Sequence, residues 1–152
     1  MSRFNANSIR LAAALSALLS VGGVLLPGSA QAAEMELEVS GLTASSGQLM
    51  VAVFDQAAQW LGGKPVALAR AAASAQQNGR LLLSLKDLPE GEVAFSVFHD
   101  VNDNGKLDSN AMGMPTEPYA FSNNATGNFG PASFEQAKFS VKPGVRVSVR
   151  LN

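Results

Sequence analysis

Apolar side chains recur at every second position through most of the chain beyond residue 33, in short runs closed by glycine, proline or Asn-Gly. A period of two places alternate side chains on opposite faces of an extended strand, so each run specifies one buried and one wet face. Met35, Leu37 and Val39 alternate with Glu34, Glu36 and Glu38 in the first run. Gly47 to Phe54 forms a second strand, with Leu49, Val51 and Val53 on one face and Met50, Ala52 and Phe54 on the other. Glu92 to His99 sets Val93, Phe95 and Val97 against Ala94, Ser96 and Phe98. A short helical turn is expected over Gln56 to Leu61, stopped by Gly62-Gly63-Lys64-Pro65.

Two hairpins are expected from turn chemistry. Asn78-Gly79 suits a type I′ turn, and it would join a strand within Val66 to Gln76 to the strand Arg80 to Leu85. Pro143-Gly144 would join Ala137–Val141 to Val145–Leu151. With no long amphipathic helix, about seven strands imply an all-β, antiparallel two-sheet sandwich. A long irregular region, Asn102 to Glu135, interrupts the pattern.

Arg3 and Arg10 precede an apolar run from Leu11 to Leu26, followed by Pro27-Gly28-Ser29-Ala30-Gln31-Ala32. These are the three parts of a secretory signal peptide, so residues 1–32 are read as a cleaved leader and residues 33–152 as one domain. The competing reading is a membrane anchor. It is disfavoured because the run falls short of about 20 residues and Ser16, Ser20, Gly22 and Gly23 interrupt it. No membrane span is expected in the mature chain, and the expected location is the periplasm or the medium.

Removing Arg3 and Arg10 takes the eleven basic residues to nine against twelve acidic ones, a net of −3. Lys and Arg are scattered singly rather than clustered, which argues against nucleic acid as a partner. The chain has no cysteine, so disulfides, thiolate metal sites and cysteine nucleophiles are excluded together. Stability must come from the apolar core, with or without a metal.

The chemistry-bearing stretch is Asp100-Val101-Asn102-Asp103-Asn104-Gly105-Lys106-Leu107-Asp108. Oxygen-bearing side chains alternate around a glycine, as in calcium loops, where a hard cation collects six to eight oxygens. On that numbering Asp100, Asn102 and Asn104 stand at positions one, three and five, the Lys106 carbonyl at seven and Asp108 at nine. Position twelve is Ala111, and a strand rather than a helix leads in, so the loop is not an EF-hand. Glu117 is the nearest carboxylate able to supply the missing ligand. The expected site is weak, in the ~10⁻⁴–10⁻³ M range of extracellular modules, and its role structural. The bland alternative is a set of Asx turns with no ion.

Other chemistry is poorly supported. His99, the one histidine, continues the Val93, Phe95, Val97 face and is expected to bond to backbone at the edge of the core. A serine nucleophile would lack its base, and no nucleophile elbow or phosphate-cradling glycine loop occurs, so no enzyme is expected. Tyr119, Phe121, Asn123 and Asn124 combine aromatic faces with amides. They either bind a sugar or a peptide, such as a cell-surface glycan or protein, or anchor the long loop to the sandwich.

Leu88-Pro89-x-Gly91, His99-Asp100-x-Asn102-x-Asn104-Gly105-Lys106-Leu107-Asp108, Gly113-Met114-Pro115-x-Glu117, Phe121-Ser122-Asn123-Asn124 and Ser133-Phe134-Glu135-x-Ala137 follow one another in order. The ordered set resembles the exported bacterial family called domain of unknown function 2141, over essentially the whole mature chain. Pro118-Tyr119-Ala120 departs from that family's usual Glu-x-Tyr-Gly-Phe segment. The resemblance implies an exported sandwich, immunoglobulin-like or prealbumin-like, with no established activity. It also implies that His99, Asp100, Asn102, Asn104, Asp108, Glu117, Ser122, Asn123 and Asn124 share one structural or functional surface.

Overall fold

The central strand of the smaller sheet shows how the alternation is used. In a computed structural model that describes residues 33–152, β1 (Ala33–Ser40) buries Met35, Leu37 and Val39 completely and turns Glu34, Glu36 and Glu38 outward. The outward acids meet cations: Glu34 lies 3.8 Å from Lys86, Glu38 3.3 Å from Arg80, and Glu36 accepts from Arg146 Nε at 2.8 Å. Such exposed pairs contribute little stability, so apolar burial carries the strand. The leader expected over residues 1–32 lies outside the described residues.

Among the described residues, eight strands form two packed sheets. The three-stranded sheet has the order β4-β1-β8, with β4 at Arg80–Leu88 and β8 at Val145–Arg150. The larger sheet has the order β3-β2-β5-β6, from Ala67–Ala72, Gln48–Phe54, Gly91–Asp100 and Tyr119–Phe121. Strand β7 (Phe139–Val141) joins β5 at Gly91–Val93, while β6 pairs farther along the same strand at Ser96–Phe98. Leu37, Val39, Leu49, Val51, Val53, Leu85, Phe95 and Val97 meet between the sheets. Among the described residues, no helix is long and apolar enough to cross a membrane.

Both expected hairpins are corrected by the pairing. Asn78 and Gly79 do take left-handed φ of 53° and 74°, and Gln77 and Arg80 exchange backbone hydrogen bonds of 2.7 and 3.0 Å. The turn, however, starts β4 in one sheet while β3 belongs to the other. Ala67, Ala69 and Ala71 pair with Val53, Val51 and Leu49, and the 3-10 turn Ala73–Ala75 carries the chain across. The choice follows from volume. Leu81, Leu83 and Leu85 lie opposite Val39, Leu37 and Met35, and they bury far more apolar surface there than an alanine strand would.

The Pro143-Gly144 turn crosses sheets in the same way. Strand β7 stays with β5, and β8 runs parallel to β1, Met35 opposite Val145 and Val149 opposite Val39. One pair in an otherwise antiparallel architecture is therefore parallel. A crossover enters the new sheet at the end where β1 begins, and Gly144 N–H donates to Glu34 O there at 3.0 Å.

The expected helical turn near Gln56 is a 3-10 turn, Ala57–Gln59. A short helix, α1 (Phe134–Ala137), interrupts the irregular region, and Ser133-x-x-Gln136 spells its capping box: Ser133 Oγ accepts from Gln136 N at 3.3 Å and Gln136 Oε1 from Ser133 N at 2.9 Å. Just after it, Lys138 bonds Glu135 at 2.9 Å and Glu92 at 3.0 Å. These hydrogen bonds hold its ammonium pKa above the ordinary lysine value.

Gly47, with φ +72°, opens β2 so close to Asp100 that a Cβ there would strike the Asp100 carbonyl oxygen. Gly47→Ala is expected to cost about 2 kcal/mol or more, from left-handed strain and the clash together. Urea unfolding of the variant and the parent measures it.

Candidate functional site: the acidic loop after strand β5

Strand parity puts His99 and Asp100 on opposite faces at the end of β5, and both are fully buried. His99 points between the sheets, where its Nε2 lies 2.9 Å from Ser46 O. A carbonyl only accepts, so Nε2 donates in this contact, and Nδ1 is buried without a hydrogen-bond partner. His99 N–H donates to Pro118 O at 2.8 Å, which ties the exit of the loop to its entrance. The histidine thus bonds to backbone at the end of the core.

Asp100 organises the loop from below. Its Oδ1 accepts from Asn104 N at 3.0 Å and its Oδ2 from Gly105 N at 2.7 Å. Asn102 Oδ1 accepts from Asn104 N at 3.2 Å, and Asn104 Oδ1 accepts from Lys106 N at 2.8 Å. These are Asx turns, made because short side chains with an oxygen reach the amide two residues on. With both amide oxygens committed to backbone, both amide nitrogens face Asp108. Asn102 Nδ2 donates to Asp108 Oδ2 at 2.7 Å, and Asn104 Nδ2 donates to Oδ1 and Oδ2 at 3.0 and 3.1 Å. Gly105 turns the chain at φ +77°.

Glu117 closes the loop. Its Oε1 accepts from Val101 N at 2.8 Å and its Oε2 from Asp108 N at 3.0 Å, so one carboxylate clamps both ends of the segment. Thr116 N–H returns to Asp108 O at 2.8 Å. Asp103 accepts from Gln48 Nε2 and so leans over the end of β2. The Lys106 side chain is exposed.

The acids of the loop differ from those of β1 and of the Lys138 cluster. Glu34, Glu36, Glu38, Glu92 and Glu135 each pair with a Lys or Arg, whereas Asp100, Asp103, Asp108 and Glu117 pair with none among the described residues. Asp100 is 0% and Glu117 9% exposed. Backbone amides solvate these carboxylates, yet no protein cation neutralises them. Among the described residues, no three His, Asp or Glu side chains converge on one metal-holding point, so an ion here would draw on amide and carbonyl oxygens as well.

The second set of sequence candidates lies beside strand β6, and it is mostly committed to internal contacts. Phe121 is buried in a small apolar cluster with Phe54, Ala94, Ala132, Phe134 and Ala137, and its ring lies 5.7 Å from Trp60. Trp60 Nε1 donates to Ala132 O at 2.8 Å. Asn123 Nδ2 donates to the carbonyls of Ala137 at 3.2 Å and Lys138 at 2.8 Å, and Asn124 Oδ1 accepts from Arg150 N at 2.8 Å. These contacts anchor the long irregular segment. Asn123 and Asn124 are exposed despite these bonds, and Tyr119 is half-exposed on the outer sheet face, 5.7 Å from Phe121 in a T-shaped pair.

Ser122 is the residue whose weight a single sequence hides. Fully buried, its Oγ accepts from Phe95 N at 3.0 Å and donates to Ala137 O at 2.6 Å, joining β5 to α1. A buried serine has no pattern of its own. Ala120, at the departure from the usual segment, lies in β6 opposite Val97 with its methyl group in the core, so the strand there has no need of glycine.

Together these features define a two-sheet β-sandwich module with a clamped, acid-rich loop at one end of its larger sheet. The model for the family described as uncharacterised proteins conserved in bacteria (DUF2141) matches residues 37–148, and the chain belongs to that family. No curated protein and no solved structure was found to match it.

Glu117→Gln tests the clamp. A glutamine offers one acceptor oxygen where two backbone N–H groups need one each, so the expected loss is about 1–3 kcal/mol. A lower urea midpoint with unchanged slope is the expected readout.

Proposed function

We propose that this protein is an exported, non-enzymatic β-sandwich whose Asp100–Asp108 loop takes a calcium ion for structural ordering. The supporting observation is the set of buried carboxylates without a cationic partner, since buried charges are ordinarily paired or bound to a metal. The ligands on this reading are the side-chain oxygens of Asp100, Asn102, Asn104 and Asp108 and the carbonyl of Lys106. A carbonyl or carboxylate oxygen that accepts one N–H keeps a further lone pair for an ion. Asp108 exchanges its two amide donors for the metal. Glu117 holds the frame, and each of its oxygens likewise retains a lone pair.

The absence of catalysis is part of the proposal. The groups best placed for acid–base work, His99, Asp100 and Glu117, are buried and each bonds to backbone. A general base must reach a substrate proton.

For a dissociation constant of ~10⁻⁴–10⁻³ M, 10 mM calcium is expected to add about 1.4–2.7 kcal/mol over chelator, read as a higher melting temperature. Asp108→Ala should melt alike with and without calcium. Identical melting of the parent chain in calcium and in chelator would sink the reading.

A further inference from the structure

The alternation that fills the core also leaves part of the larger sheet's outer face uncovered. Across β3, β2, β5 and β6 the register aligns Arg70, Met50, Phe98 and Tyr119 in one row, and Leu68, Ala52 and Ser96 in the next, ending at Phe121. The apolar cluster around Phe121 is covered by the segment from Ser122 to Ala137, and the opposite end is covered by the acidic loop. Between them Met50, Ser96, Phe98 and Tyr119 remain half-exposed, Leu68 is 72% exposed and Arg70 is exposed. Among the described residues Arg70 has no ion-pair partner, and the Tyr119 hydroxyl makes no hydrogen bond within the protein. We infer that this strip binds a linear neutral glycan, laid across the strands with its rings on Phe98 and Tyr119 and its hydroxyls on Arg70, Ser96 and the Tyr119 hydroxyl.

The size of the strip selects the occupant. Four strands at about 4.8 Å spacing span about 14 Å, and two rows are separated by about 7 Å, giving on the order of 100–200 Å². A stable protein interface needs about 800 Å² from each partner, so a second copy or a folded protein finds too little here. A single polymer chain has the right cross-section. The rows run across the face of the sheet, where a peptide meets side chains and no backbone ladder, while aromatic faces with donors at their edges match the C–H faces and hydroxyl rims of sugar rings. Charge selects against a polyanion. Asp103 leans over the neighbouring end of β2, the loop carries further acids, and the single Arg70 does not offset them.

The inference is independent of the calcium reading, so its test is run in chelator and in calcium. The full chain is electrophoresed through native gels containing hydroxyethyl cellulose, a neutral β-glucan, or polygalacturonate. Retardation by the neutral glucan, weakened at least tenfold by Tyr119→Ala and severalfold by the fully surface change Arg70→Gln, is the expected result. Circular dichroism melting shows that each variant is folded. No retardation in any gel, retardation indifferent to both changes, or stronger retention by polygalacturonate overturns it. So does a concentration-dependent dimer in analytical ultracentrifugation that Leu68→Glu dissolves, because the strip is then a contact between copies.

Discussion

Strand β5 sets the parity on which the rest of the molecule depends. It pairs with β2, β6 and β7, and its odd-numbered residues Val93, Phe95, Val97 and His99 all face the other sheet. Burying Phe95 alone contributes on the order of 1.5–3 kcal/mol, and a slip of one residue would turn the whole set outward. With that parity fixed, Asp100 must emerge on the outer side, where the acidic loop folds back over it. Ser96 and Phe98 must then stand on the outer face too.

The loop is ordered by the same economy that governs helix ends, in which backbone N–H groups without a ladder partner are met by side-chain oxygens. Asp100, Asn102, Asn104 and Glu117 between them accept from the amides of Val101, Asn104, Gly105, Lys106 and Asp108. What hydrogen bonding leaves undone is charge balance. The acids of β1 lie in water beside Lys and Arg, whereas those of the loop lie partly out of water with amides and, among the described residues, no counterion. This contrast gives a hard cation a physical reason to bind.

The strands were legible in the sequence because each carries its period, and the Asn78-Gly79 turn because only a few residue types accept its φ values. Their partners were not legible. Turn chemistry reports that the chain reverses without reporting which sheet it re-enters, and only the match of Leu81, Leu83 and Leu85 to β1 decides that. In the loop, the spacing from Asp100 to Asp108 left a calcium site and Asx turns as two readings, of which the Asx turns are formed, and His99 took its backbone bond as its strand face implied. Glu117 is the carboxylate nearest the loop in sequence, but its grip on Val101 and Asp108 is a contact that no local pattern encodes. The particular partners of Ser122, Asn123 and Asn124 were hidden for the same reason.

The parallel pairing of β8 with β1 bears on the order in which the molecule assembles. Glu36 and Arg146 are neighbours across 110 positions of sequence, so one side of β1 has nothing to pair with until almost the entire domain has been made. Closing so long a loop is entropically costly before any contact rewards it, which makes the three-stranded sheet a late event in folding. Until then Met35, Leu37 and Val39 lack their last neighbours, and the row of glutamates on the reverse of the strand keeps like edges apart. The ladder of acids thus adds little to the stability of the finished fold, while its like charges disfavour the pairing of one copy of β1 with another.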